Sequence, residues 1–458
     1  MQLTQHQAHI RQLLAIAVPV SLQMLLFSSR SMVDIMMLGQ LGDHEVAAMG
    51  IAGRASYIAT LLIVGVTTGG GVLLAQYWGK RDSIGLQRAF LLTLGLCSLL
   101  ALLINAVFAG LPQQVMGLST TVPEIAGFGA DYLFIVAWAT LPMAIGIVVA
   151  TGLRAIHRAT IPTAFSCFGV LLNVGLNYLL IFGKAGMPAL GIEGAAYATL
   201  ISCVVEVGLL VLFLGWKKSE LFPSRHQLRH CFSLAELQNI CRLSAPVIVN
   251  MFLYSFGLFM YSVIFGHIDV QALAALTVMI PIESIAIAFL IGVGTGTSVV
   301  IGNEIGANKM ESAYQIAKIA VGLSLLFGVI TAIVLWALKS WVLGLFSGLD
   351  GTTLSTAEDF YTVLLVGVVI RALPISMIVG VLRAGGDNQF CLIQDTVAQW
   401  GVGVPLVALL AFVTPVPIAV IYMAVFAEEV VKIVLSTWRI ASRRWLTNHT
   451  LSDLEAVN

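Results

Sequence analysis

Asp34 is the first residue that chemistry singles out. It is a carboxylate near the far end of an apolar stretch that runs from Pro19-Val20-Ser21-Leu22-Gln23 to Ser31-Met32-Val33-Asp34-Ile35-Met36-Met37-Leu38-Gly39. An ionised carboxylate in hydrocarbon is costly, so at such depth it faces a partner or a cavity and by default does work. Pro19, fifteen residues earlier, removes one helical hydrogen bond and crowds the preceding turn, which gives the segment a bending point. A titratable group beyond a hinge is a part that a proton- or cation-driven machine needs. The competing reading is a structural ion pair with Arg30, one turn back on the same face.

Asn173 and Asn177 lie one helical turn apart and share a face. Their amide oxygens can accept from a protonated carboxyl group or coordinate a cation, or the pair can simply bond helix to helix. Four more polar groups sit in apolar stretches: Glu206, Glu283, Arg371 and Asp395. Each can touch a solute or pair internally. Glu283, just past Ile280-Pro281 in a segment expected to bend, is the strongest candidate for a solute contact. Glu428 and Lys432, at i and i+4, read as a helix-surface pair near one end of their segment.

Other chemistries find little support. No HExxH or GxSxG occurs, and the eight histidines fall mostly in terminal or loop stretches, so an intramembrane enzyme is disfavoured. The six cysteines show no CxxC spacing and read as small core residues rather than disulfides or metal ligands. Gly69-Gly70-Gly71 and Gly292-Val293-Gly294-Thr295-Gly296 lack the GK[ST] ending of a phosphate loop and suit close helix packing. A net charge of zero offers no basic face for nucleic acid. No cofactor is expected.

The elements that must position these groups are membrane spans. Of 458 residues, 59% are hydrophobic and only 10% charged, and the mean hydropathy is +0.97. Windows of about twenty apolar residues predict twelve spans, near 12–38, 45–75, 87–110, 129–150, 162–183, 191–214, 242–265, 272–302, 315–337, 357–381, 391–412 and 416–438. With the N-terminus inside, seventeen Lys and Arg flank the inner ends, while only Lys184 and Lys339 lie outside. That bias places both termini in the cytoplasm.

A polar connection divides the chain into 1–216, a linker 217–238, and 239–458. The two halves are repeats. A shift of 227 residues matches Pro19 with Pro246, Met24 with Met251, Ser28 with Ser255, Gly39 with Gly266, Gly65 with Gly292 and Gly69 with Gly296. After a two-residue insertion, Leu153-Arg154-Ala155 meets Leu382-Arg383-Ala384. Six spans per half imply a pseudo-twofold axis along the membrane normal, a plan common among secondary transporters. A passive channel fits the hinge and the carboxylate less well.

In these features the chain resembles the multidrug and toxic compound extrusion (MATE) family, in its DinF-like and NorM-like bacterial branches. The resemblance rests on Pro19…Asp34…Gly39, Gln76-Tyr77-Trp78-Gly79, Gly152-Leu153-Arg154-Ala155, Asn173-Val174-Gly175-Leu176-Asn177 and Gly191-Ile192-Glu193-Gly194-Ala195-Ala196-Tyr197-Ala198-Thr199. It implies two six-helix lobes and export of organic, often cationic, drugs in exchange for protons or sodium ions. It further implies a monomer in a bacterial inner membrane. By family position, Tyr132 and Thr199 join Asp34, Asn173 and Asn177 in a cation-coupling cluster, with Pro19 as hinge.

The pattern departs from the family at two places. Where the DinF branch often has a second aspartate this chain has Asn177, and Tyr254 and Ala372 stand where the NorM branch has its C-lobe carboxylates. That tilts coupling toward protons at Asp34, with sodium as the alternative. Tyr254 and Tyr261, the latter the repeat counterpart of Asp34, can instead line the cleft for an aromatic cation. A lipid or lipid-linked-sugar flippase is the other transport reading.

Overall fold

The computed structural model describes residues 2–38, 40–120, 122–217, 219–222, 233–344 and 351–450. Gly39 of the first motif, and Lys218 and 223–232 of the expected linker, lie outside the described residues. The described secondary structure is entirely helical. Among the described residues, eleven helices are long and apolar enough to cross a membrane.

The chain forms two compact units, 25–248 and 1–24 together with 249–458. The first unit takes the C-terminal part of α1 (Gln2–Leu38), then α2 (Asp43–Lys80), α3 (Ser83–Gly110), the short α4 (Pro112–Gly117), α5 (Pro123–Ala155), α6 (Thr160–Phe182) and α7 (Gly191–Trp216). Local chemistry sets these ends. Asp82 caps α3 by accepting from the Gly85 N–H at 2.8 Å. Proline opens α4 and α5, where its missing N–H has no helical partner to lose. Gly183, at φ 65°, closes α6 in the left-handed conformation that suits glycine.

The second unit continues with α8 (Leu234–Ile268), α9 (Val270–Gly306), α10 (Met310–Gly344) and α11 (Gly351–Ile375). The span begun by α11 runs on through a π-helical turn, Ser376–Leu382, and the next comprises α12 (Asn388–Thr396), another π-helical turn (Val397–Gly403) and α13 (Val404–Val413). The span expected at 416–438 is interrupted. It forms α14 (Ile418–Ala424) and α15 (Ala427–Ala441), joined by a turn at Val425 and Phe426. α15 brings three charged side chains inward within its first six residues, so this piece is not built as a uniform apolar rod.

The internal repeat reappears as packing. Within the second unit, the N-terminal half of α1 lies on α9, with Gly292 against Ser21 and Gly296 against Ala17. Within the first unit, the start of α8 lies on α2, with Gly65 against Ile248 and Gly69 against Ser244. Adding 227 turns Ser21 and Ala17 into Ile248 and Ser244, and Gly65 and Gly69 into Gly292 and Gly296, so the two sets of contacts are counterparts under the repeat. Each half therefore lends the opening turns of its first span to the other half's second span. This explains why the units divide inside α1 and α8 rather than at the connection between halves.

A Cβ at Gly296 would stand 2.8 Å from the Ala17 backbone nitrogen, and one at Gly69 would stand 2.8 Å from that of Ser244. Backbone cannot retreat as a flexible side chain can. Gly296→Val is expected to destabilise the protein by about 1–3 kcal/mol, lowering the thermal midpoint of detergent-purified protein. Gly322→Val, where nothing lies within 4 Å of the added carbon, should leave it near wild type.

Candidate functional site

The five residues expected to form a coupling cluster come together in the first unit. α1 supplies Asp34, α5 Tyr132, α6 Asn173 and Asn177, and α7 Thr199. Asp34 is 6% exposed, and both asparagines are fully buried. The Asn177 Nδ2 donates to Asp34 Oδ1 at 2.5 Å and also reaches Asn173 Oδ1 at 3.3 Å. Tyr132 is hydrogen-bonded to Thr199 and feels the Asp34 charge. The i, i+4 spacing thus serves as the sequence suggests, putting one amide beneath the other on the face of α6 that meets α1.

Two atoms of this cluster are unsatisfied among the described residues. Asn177 Oδ1 and Asn173 Nδ2 are buried and have no hydrogen-bond partner. A buried amide atom left bare is destabilising, so the cluster has spare capacity for one more donor and one more acceptor. Arg30 makes no ion pair with Asp34 among the described residues. Its guanidinium bears electrostatically on Asp34, and on Glu206 as well. Glu206 belongs to a separate pair and accepts from the Ser166 hydroxyl at 2.7 Å.

The second unit holds a denser constellation. Arg371, on α11, donates from Nε to Glu429 Oε1 at 2.8 Å and from Nη1 to Glu283 Oε1 on α9. Lys432 donates to Glu428 Oε1 at 2.8 Å and sits 3.6 Å from Glu429 Oε2. Tyr261, on α8, donates its hydroxyl to Glu428 Oε2 at 2.6 Å. The Lys432 ammonium also lies 5.3 Å from the centre of the Tyr254 ring, within reach of a cation–π attraction. Close by on α12, Asp395 Oδ2 accepts from Asn250 Nδ2 at 2.8 Å, and Asn250 Oδ1 accepts from Arg383 Nη2 at 3.2 Å.

Here the surface reading of Glu428 and Lys432 fails. Glu428 is 0% exposed and Lys432 4% exposed. The i, i+4 spacing reports that two side chains share a face but not which way that face points. The partner that sequence reasoning passed over is Glu429. The available signal was three charges in five residues, Glu428, Glu429 and Lys432, within a stretch otherwise apolar enough to span. Of the residues proposed to line a cleft, Tyr261 is buried within this network at 3% exposure, whereas the Glu283 side chain keeps 21%. No group of three or more His, Cys, Asp or Glu positioned to hold a metal occurs among the described residues.

The MatE family model matches residues 19–179 and 246–409, one block in each half. The chain is 28% identical over 414 residues to the probable multidrug resistance protein NorM of Bradyrhizobium diazoefficiens, covering 88% of this chain and 86% of that one. It is 24% identical over 432 residues to the uncharacterized transporter YisQ of Bacillus subtilis, covering 93% of each. Among solved structures, it resembles the Vibrio cholerae MATE transporter VcmN in the bent form, with a TM-score of 0.86 at 17% identity over 97% of this chain and all of that one.

Proposed function

The chain belongs to the MatE family, and from that premise we propose that it is a multidrug efflux antiporter, exporting organic and often cationic compounds in exchange for inward protons carried by Asp34. The observation that carries this reading is the Asp34 cluster: a 6%-exposed carboxylate held by one amide, beside a bare acceptor and a bare donor on Asn177 and Asn173. A relative named for multidrug resistance, PmpM of Pseudomonas aeruginosa, is 23% identical over 87% of this chain and supports the same direction.

The cluster responds to a proton in a defined way. Protonation removes the Asp34 charge, which weakens the charge-assisted bond from Asn177 Nδ2. It also creates an O–H donor for which Asn177 Oδ1 is an unfilled acceptor once the amide turns over. The bonding that joins α1 to α6 is thereby rewritten. Pro19, inside the same helix, leaves one carbonyl of α1 without its helical donor and lowers the resistance to bending there. Bending of α1 then couples the proton to the shape of the drug-binding cavity. Glu283 and Tyr254 are the side chains we assign to substrate recognition in the other unit, whereas Tyr261, buried with its hydroxyl on Glu428, serves the network behind them.

The protein is a multi-pass membrane protein, which we place as a monomer in a bacterial inner membrane. The distribution of lysine and arginine supports cytoplasmic termini. A sodium-driven cycle is the second reading, because the Asn177 oxygen and the Asp34 carboxylate are both ligands that a hard cation accepts.

Ethidium transport in everted membrane vesicles, with each gradient imposed alone, decides between these. A pH gradient in sodium-free medium is expected to drive accumulation. Transport that requires sodium would move the coupling ion, and flux indifferent to both gradients would overturn antiport altogether.

A further inference from the structure

The buried network of the second unit carries an unequal charge count. Glu283, Glu428 and Glu429 provide three carboxylates, against the two cations Arg371 and Lys432. Burying a charge without a counter-charge is strongly unfavourable, so the arrangement has room for one further positive charge. The place where it enters is marked by exposure and connectivity. Glu428, Glu429, Arg371 and Lys432 are all at most 5% exposed at the side chain, while Glu283 retains 21%.

Glu283 is also the one carboxylate that can leave without stranding a partner. Arg371 uses two edges of its guanidinium, Nη1 for Glu283 and Nε for Glu429. If Glu283 lets go, Arg371 keeps Glu429 at 2.8 Å, and Phe426 still lies 5.1 Å beneath its guanidinium. Removing Glu429 or Glu428 would instead break into the chain of bonds through Lys432 and Tyr261. Glu283 stands two residues past Pro281 in α9, where the proline deprives the helix of one hydrogen bond and eases a local swing.

We propose that Arg371 is a built-in competitor for the substrate: its guanidinium occupies Glu283 in the empty transporter and is displaced there by a cationic substrate bearing N–H donors, such as an amidine, a guanidine or a protonated amine. This rests on the assignment of Glu283 to substrate recognition and specifies the chemistry it selects. The preference follows from what must be replaced. A guanidinium satisfies a carboxylate through directed N–H bonds, and a quaternary or phosphonium cation, which has none, makes a poorer exchange.

Equilibrium binding to the purified protein in detergent tests this without any ion gradient, so its outcome does not depend on whether transport is proton-coupled. The probes are pentamidine, a bis-amidine, and tetraphenylphosphonium, a cation with no N–H. Glu283→Gln is expected to weaken pentamidine about tenfold or more and tetraphenylphosphonium less than about threefold. Arg371→Lys keeps a charge for Glu429 but loses the fork that also reaches Glu283, and is expected to tighten pentamidine. Glu283→Asp, which keeps the charge, should recover part of the lost affinity and guards against a merely misfolded variant.

Equal losses for both probes in Glu283→Gln would overturn the proposal. So would unchanged pentamidine affinity in that variant, weaker pentamidine binding in Arg371→Lys, or no pentamidine binding by the wild type.

Discussion

Asp34→Asn is expected to lower gradient-driven efflux by roughly a hundredfold, at the upper end of the coupling free energies that link two sites in one protein. The substitution is close to isosteric, and the new amide oxygen can still accept from Asn177 Nδ2, which now donates to Asp34 Oδ1 at 2.5 Å. What disappears is the ability to gain and lose a charge in a site that is 6% exposed. Folding should survive, because a neutral amide in that place is less costly to bury than a carboxylate. Substrate binding measured without a gradient should change little. Efflux of ethidium from whole cells, normalised to immunoblotted protein in the membrane, is the measurement. Asp34→Asn cells that clear ethidium at the wild-type rate would remove Asp34 from the coupling path, and the Ser166-bonded Glu206 of the same unit would be tested next.

The second large effect is expected in stability rather than transport. Lys432→Met removes the only ammonium among the described residues that reaches both Glu428 and Glu429, whose side chains are 0% and 4% exposed. Breaking a buried ion pair by deleting one member destabilises by about 3–5 kcal/mol, since the surviving charge is left uncompensated. Two carboxylates face that fate here, although Arg371 still holds Glu429. Most of the loss should therefore trace to Glu428. Adding Glu428→Gln to Lys432→Met is expected to restore a large part of it, because the amide retains an acceptor for the Tyr261 hydroxyl and carries no charge.

Thermal midpoints and the monodisperse fraction after detergent extraction read out both variants. A Lys432→Met protein as stable as wild type would mean that the network is not held by its charges. A double variant no better than the single one would place the loss at Glu429 instead.

How far the sequence reaches can be judged from particular residues. The all-helical polytopic fold was legible because long apolar runs in lipid have few alternatives: their backbone groups must bond within the segment. The repeat was legible as well, and Gly65, Gly69, Gly292 and Gly296, matched by register alone, prove to be corresponding helix contacts. Asn173 and Asn177 could be placed on one face because helical periodicity is a local property. That Tyr132, Thr199 and Asp34 join them came from resemblance rather than spacing, since the three sit on helices separated by long stretches of chain.

The outcome at α15 was beyond such reasoning. Its start carries Glu428, Glu429 and Lys432 in a pattern that serves equally for a solvated face and for a buried ion network, and the choice depends on whether Arg371, Tyr261 and Glu283 arrive from three other helices. The exchange of helix ends between halves was hidden for the same reason: Ser21 and Ala17 bear no mark that their neighbours are Gly292 and Gly296.

By itself, then, the sequence determined whatever depends on neighbours along the chain: the apolar spans, the proline in α1 and the carboxylate fifteen residues beyond it. Tertiary structure decided which side of each helix meets which partner. Only that could make Glu428 a buried ligand of Lys432 and Tyr261, leave Glu283 as the accessible member of its network, and seat Asp34 against the Asn177 amide with an acceptor to spare. A charge in a span must find compensation, and composition states that need without naming the helix that meets it.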